Sequence, residues 1–123
     1  ILSGARFLAT NPDIWINSEL GIVPENGSIL AAITAITQIQ PTIIGKPGSA
    51  LIELALRDCE IDRTSAIIIG DNLETDIAAA IALGLRSVLL LTGVTNVEGV
   101  RQSIIEPTWI AEDYNALEAI IFQ

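Results

Sequence analysis

The sequence contains no histidine and a single cysteine, Cys59, in 123 residues. Without histidine, Ser-His-Asp and Cys-His catalysis are excluded, and any acid–base chemistry falls to Asp, Glu or Lys. One cysteine excludes an internal disulfide and a cysteine-cluster zinc site. Basic residues are also scarce, 6 Lys+Arg against 15 Asp+Glu, a net charge of −9. A chain with no basic stripe has no means of gripping a phosphodiester backbone, so nucleic acid is not an expected partner. Nothing reads as a secretory leader, and no run reaches the ~20 apolar residues of a membrane span. The expected location is therefore the cytoplasm, with no membrane partner.

Half of the residues are apolar, aliphatic far more often than aromatic, and 17% are charged. That is enough apolar surface for a core and argues against disorder. The aliphatic bias suits a buried parallel sheet flanked by helices. The acidity fits either a solubilising surface or carboxylates held for a divalent cation, and composition alone does not choose between them. The chain opens at Ile1, without a methionine and inside a segment that reads as structured, which points to a piece of a longer protein.

Along the chain, Arg6–Thr10 reads as a strand closed by the turn signal Asn11-Pro12-Asp13. Residues 15–26 read as irregular, with Pro24 and Gly27 as breakers. Ile29, Ala32, Ile33 and Ile36 predict the inward face of a helix over 28–39. From residue 42 strands and helices alternate. Short apolar strands are expected at 42–44, 66–69, 87–91 and 109–111. Helices are expected at 49–58 (Ser49 as cap, Leu51, Ile52, Ala55 and Leu56 inward), 74–83 (Ile77, Ala80 and Ile81 on one face, Gly84 as the stop), 97–103 and 115–122. Such alternation predicts an α/β fold with a parallel sheet and right-handed crossovers. Ligands of these sheets sit beyond the C-terminal ends of the strands, which singles out Lys46, Asp71 and Thr92.

The most specific stretch is Gly70-Asp71-Asn72-Leu73-Glu74-Thr75-Asp76. A strand delivers Asp71 to its end, and Asp76 falls in the first turn of the next helix. Two carboxylates beside one loop supply the oxygen ligands that a hard cation prefers. A bare Gly-Asp after a strand would read as a simple turn, with Asp76 complementing the helix N-terminus. The full G-D-x-x-x-T-D pattern favours a metal site. Gly45-Lys46-Pro47 is the second element, since a lysine after a strand neutralises phosphate. The nucleotide phosphate-binding loop G-x-x-x-x-G-K-[ST] is not matched, because Gln40 stands at its first glycine and Pro47 at its hydroxyl residue. A phospho-accepting receiver domain is also disfavoured, because its acceptor Asp precedes its lysine and here Lys46 precedes Asp71.

Taken together, the segments A-R-F-L-A-T-N-P-D (5–13), G-S-I-L-A-A-I (27–33), I-I-G-K-P (43–47), I-I-I-G-D-N-L-E-T-D-I (67–77) and L-L-T-G-V (90–94) resemble the p-nitrophenyl phosphatase branch of the haloacid dehalogenase superfamily, which includes phosphoglycolate and pyridoxal-phosphate phosphatases. The resemblance runs over essentially the whole chain. It implies a magnesium-dependent phosphomonoester hydrolase acting through an aspartyl-phosphate on a small phosphorylated metabolite. Lys46 would hold the phosphate and the nucleophile, Asp71 would ligate Mg2+, and Asp76 would support the metal shell. Asn72 would contact substrate. Asn11 and Asp13 match a cap motif T-N-x-D and either face the substrate or cap local backbone. Thr92-Gly93 either lines the rim of the site or makes a simple turn.

The resemblance further implies that residues 1–41 are the C-terminal tail of an α/β cap domain and 42–123 the C-terminal half of a Rossmann-like phosphatase core. The family's D-x-D nucleophile strand and second motif are not in the sequence. The chain by itself is therefore expected to be inactive, with an apolar sheet edge at Ile67–Ile69 open to self-association. The alternative is a non-catalytic α/β module that binds a cation or phosphate.

Overall fold

The computed structural model describes residues 1–122. It forms two compact units, Ile1–Gly48 and Ser49–Gln123.

In the first unit, strand β1 (Leu8–Ala9) pairs in parallel with β4 (Thr42–Ile43), with Leu8 opposite Thr42 and Ala9 opposite Ile43. Backbone bonds from Thr42 to Phe7 and from Ile44 to Ala9, both 2.8 Å, extend the ladder. Residues 15–26, expected to be irregular, instead form an antiparallel hairpin of β2 (Trp15–Ser18) and β3 (Gly21–Pro24). The turn is made locally. Ser18 Oγ donates to the Gly21 carbonyl (2.8 Å) and accepts the Leu20 N–H (3.2 Å). Pro24 does not break the strand because its pair with Trp15 adjoins the bonded pair of Ile14 and Glu25, so an N–H there would point away from β2. Gly27 lies inside the helix that follows.

Helix α1 spans Asn26–Thr37 and stops at Gln38, whose backbone is left-handed at φ 57°. Its packed stripe differs from the expected one. Leu30 is buried and Ile33, Thr34 and Thr37 are half-buried, while Ile29, Ala32 and Ile36 are exposed, Ile36 at 78%. Apolar residues surround this helix, so spacing alone allows two stripes. Thr37 can sit on the packed side because its hydroxyl donates back to the Ile33 carbonyl at 2.9 Å.

The second unit is a three-stranded parallel sheet in the order β5 (Ile67–Gly70), β6 (Arg86–Leu90), β7 (Trp109–Ala111). Of the four strands expected from residue 42 on, the last three are neighbours in this sheet, whereas the first, β4, pairs with β1. Helices α2 (Ala50–Asp58), α3 (Ala78–Ala82), α4 (Val97–Gln102) and α5 (Tyr114–Ile121) connect and flank them. The alternation of β6 divides the core. Val88 and Leu90 pack with Ala111 against Ala116, Leu117 and Ile120, and Leu89 packs with Leu73 and Ile77 against Leu91, Val100 and Ile105. Ala80, Leu83 and Leu85 meet Ile52, Leu56 and Ile68. Ser87, a buried polar residue in β6, exchanges two hydrogen bonds with Thr108.

Three local expectations need correction. Ser49 stands at the N-cap of α2 but makes no side-chain cap bond, because its backbone is already helical (φ −89°, ψ −10°) rather than extended. On that helix Ile52 and Leu56 pack inward, whereas Leu51 and Ala55 are exposed. The helix expected at 74–83 begins as a wide five-residue turn over Leu73–Ile77 before becoming α3; Ile77 and Ala80 are buried as expected, and Ile81 points outward. Gly84, at φ +66°, is the stop.

Leu89 is fully buried in the middle strand. Leu89→Ala is expected to destabilise this unit by about 2–5 kcal/mol, the usual cost of such a truncation. Chemical denaturation followed by circular dichroism measures it. A loss under about 1 kcal/mol would show that β6 is not the centre of the core.

Candidate active site

The loop after β5 carries the chemistry. Gly70 ends the strand, Asp71 follows it, and Asn72 caps the wide turn by accepting the Glu74 N–H on Oδ1 at 2.9 Å. The turn is wider than an α-helical one. Both the Asp76 and Ile77 N–H groups reach the Asn72 carbonyl, at 2.9 and 3.3 Å. Such wide turns recur at functional sites. Here the turn brings Asp76 back under the strand end. Asp76 is 5% exposed, and its Oδ2 accepts the Asn72 N–H at 3.2 Å. It also lies against Gly70 so closely that a Cβ there would collide with it. Asp76 thus touches the backbone on both sides of Asp71.

Asp71 is held from the loop after β6. Its Oδ2 accepts the Val94 N–H at 2.7 Å, and its carbonyl accepts the Thr95 N–H at 2.9 Å. Gly93 lies flush against the carboxylate, since a Cβ on it would overlap the Asp71 side chain. Thr95 Oγ1 in turn accepts the Leu73 N–H at 3.1 Å. The sequence allowed Thr92-Gly93 either to line the rim of the site or to make a simple turn, and did not single out Val94 or Thr95.

A divalent metal would find a suitable but small donor set here. Asp71 and Asp76 offer oxygen only, as Mg2+ prefers, and the Val94 bond uses one of about four lone-pair positions on Asp71. Among the described residues, no group of three or more His, Cys, Asp or Glu side chains is gathered to hold a metal. Most of a six-oxygen shell would have to be supplied by water, by substrate or by other chain.

The remaining expected site residues lie in the first unit. Lys46 is exposed in the loop after β4, where the Gly48 N–H donates to the Gly45 carbonyl at 2.8 Å and the Lys46–Pro47 peptide is cis. Asn11 and Asp13 sit together after β1. Asn11 Oδ1 accepts the Asp13 N–H at 3.0 Å, and the Asn11 carbonyl accepts from Asn26 Nδ2 at 2.7 Å. The Asn11 side chain is thus engaged in closing a local turn.

A parallel sheet with an Asp at a strand end and a second carboxylate tucked beneath it places two oxygen donors where ligands of such sheets sit. A family profile described as HAD-hydrolase-like matches residues 43–117, and the chain belongs to that family. It is 43% identical over 108 residues to the 5'-nucleotidase YutF of Bacillus subtilis, covering 88% of this chain and 42% of that protein. It superimposes on the p-nitrophenyl phosphatase from Archaeoglobus fulgidus with a TM-score of 0.84 at 34% identity, covering 96% of this chain and 48% of that one. The same score, at 36% identity, relates it to the glycerol phosphate phosphatase Rv1692 of Mycobacterium tuberculosis in complex with magnesium, with 94% and 35% covered. The chain therefore spans less than half the length of these relatives.

Proposed function

We propose that this chain is the C-terminal part of a magnesium-dependent phosphatase that hydrolyses a small phosphorylated metabolite through an aspartyl-phosphate. In this reading residues 1–41 are the tail of the cap and 42–123 the C-terminal half of the core. The observation that carries it is the Asp71–Asp76 arrangement: one carboxylate fixed by the Val94 N–H at a strand end, the other buried beneath it. Similarity to nucleotidase and phosphatase relatives supports the same reaction class.

Bound Mg2+ would neutralise charge on the phosphoryl oxygens. Asp71 would hold it directly. Asp76 would hold it through water, while its contacts on either side of Asp71 keep that residue in place. Lys46 would take the charge of the phosphoryl group. Asn72 would reach substrate through its amide nitrogen, its oxygen being bonded to Glu74. Asp13, exposed beside the Asn11 turn, would face the substrate from the cap side. The attacking carboxylate would come from chain outside these residues. The cytoplasm is the proposed place of such an enzyme; no described helix is long and apolar enough to cross a membrane.

The test is a structure of the longer protein with Mg2+ and phosphate or sulfate. The Lys46 ammonium is expected about 3 Å from an anion oxygen, and the metal on Asp71. An ammonium directed away from the anion, or a metal seated elsewhere, would overturn this assignment.

A further inference from the structure

We propose that the Gly93–Thr95 segment is the device that positions Asp71, with Thr95 as its positioning residue. This rests on the reading of Asp71 as a metal ligand. Four contacts converge from residues 22 to 24 positions further along the chain. Val94 N–H fixes one carboxylate oxygen, and Thr95 N–H fixes the carbonyl of the same residue. Thr95 Oγ1 fixes the backbone two residues on, at Leu73. Gly93 presents no side chain where the carboxylate lies.

The two bonds made by Thr95 clamp the loop from Asp71 to Leu73 at both ends. Leu73 is itself anchored in the core with Ile77 and Leu89. The clamp therefore connects the carboxylate to the packed face of β6 rather than to a free loop. A ligand with a fixed backbone and a fixed carboxylate rotamer loses little freedom on taking a metal, and outer contacts of this kind typically contribute 10–100-fold in metal affinity. The role asked of Thr95 is specific to its hydroxyl: serine retains the acceptor for the Leu73 N–H, and valine keeps the shape but removes it.

The test uses the isotopically labelled polypeptide that joins this chain to the rest of the phosphatase, with Mn2+ as a paramagnetic stand-in for Mg2+. In the wild type, Mn2+ is expected to broaden the amide signals of Asn72 and Val94 saturably, and Asp71→Ala to remove this. Thr95→Val should weaken the apparent affinity about tenfold and speed exchange of the Leu73 amide proton. Thr95→Ser should stay within about twofold of the wild type. Gly93→Ala serves as a second variant should Thr95→Val fail to fold. The three atoms nearest its added methyl all belong to the Asp71 side chain, so it should weaken Mn2+ binding by a similar factor with the dispersed spectrum intact.

Unchanged affinity in either Thr95→Val or Gly93→Ala, with Asp71→Ala still abolishing binding, would overturn the positioning role and leave the metal site standing. Equal weakening in Thr95→Ser and Thr95→Val would show that the hydroxyl is not responsible. Wild-type broadening that is absent, or that survives Asp71→Ala, would remove the metal site and the positioning role together.

Discussion

Asp71→Ala, made in a polypeptide that joins this chain to the rest of the phosphatase, is expected to lower kcat/KM by about 10³-fold or more and to weaken Mg2+ binding in parallel. The size follows from the charge that the metal neutralises, worth several kcal/mol of barrier, where each 1.4 kcal/mol is a factor of ten. The fold should tolerate the change. Asp71 is half-buried at a strand end, and its side chain contributes one hydrogen bond, from the Val94 N–H. A net loss of about 1 kcal/mol is the usual consequence. The measurement is steady-state turnover of p-nitrophenyl phosphate against Mg2+ concentration, with a thermal melt as control. Turnover near that of the wild type would end the role given to Asp71.

Much of this architecture was legible in the sequence because it rests on local signals. Apolar runs at 66–69, 87–91 and 109–111, separated by helical spacings and by Gly84, announce successive parallel strands, and these are β5, β6 and β7. Asp71 and Asp76 could be singled out together because they lie within one seven-residue stretch. The hairpin at Trp15–Pro24 was missed because Pro24 reads as a breaker and the turn is closed by a Ser18 hydroxyl bond to Gly21, which carries no hydrophobic pattern. The stripe of α1 was misread because Ile29, Leu30, Ile33 and Ile36 offer more apolar faces than the helix uses in its own unit.

The support for Asp71 was invisible for a different reason. Val94 reaches it through a backbone N–H, which any non-proline residue supplies, and across 23 positions of sequence. The one available signal was Thr92-Gly93 after a strand in a parallel sheet. The sheet order turns that into a contact, since Gly70 is paired with Leu89 and the loops after β5 and β6 must then emerge side by side.

The isolated chain is expected to hydrolyse no phosphomonoester, and mixing it with the N-terminal half of the protein is expected to restore activity. Formation of an aspartyl-phosphate needs a carboxylate to attack phosphorus as the alcohol departs, and a second acid–base group to protonate that alcohol and later activate water. Asp71 cannot be that nucleophile while it holds the metal, and Asp76 is buried with one oxygen on the Asn72 N–H. The sequence supplies no histidine in place of the acid–base residue.

The proposed reading also predicts a physical mark. Among the described residues β6 is the one strand paired with β5, whose apolar run ends in Ile69, 46% exposed. An unpaired apolar strand edge is a template for another strand. In the family resemblance, the strand bearing the nucleophile takes that place. The lone chain should therefore associate with itself as its concentration rises, and adding the N-terminal half should suppress this while activity appears. Assays with p-nitrophenyl phosphate and Mg2+, alongside sedimentation at several concentrations, follow both effects on the same samples. Turnover by the lone chain that vanishes in Asp71→Asn would show that the attacking group lies within these 123 residues after all.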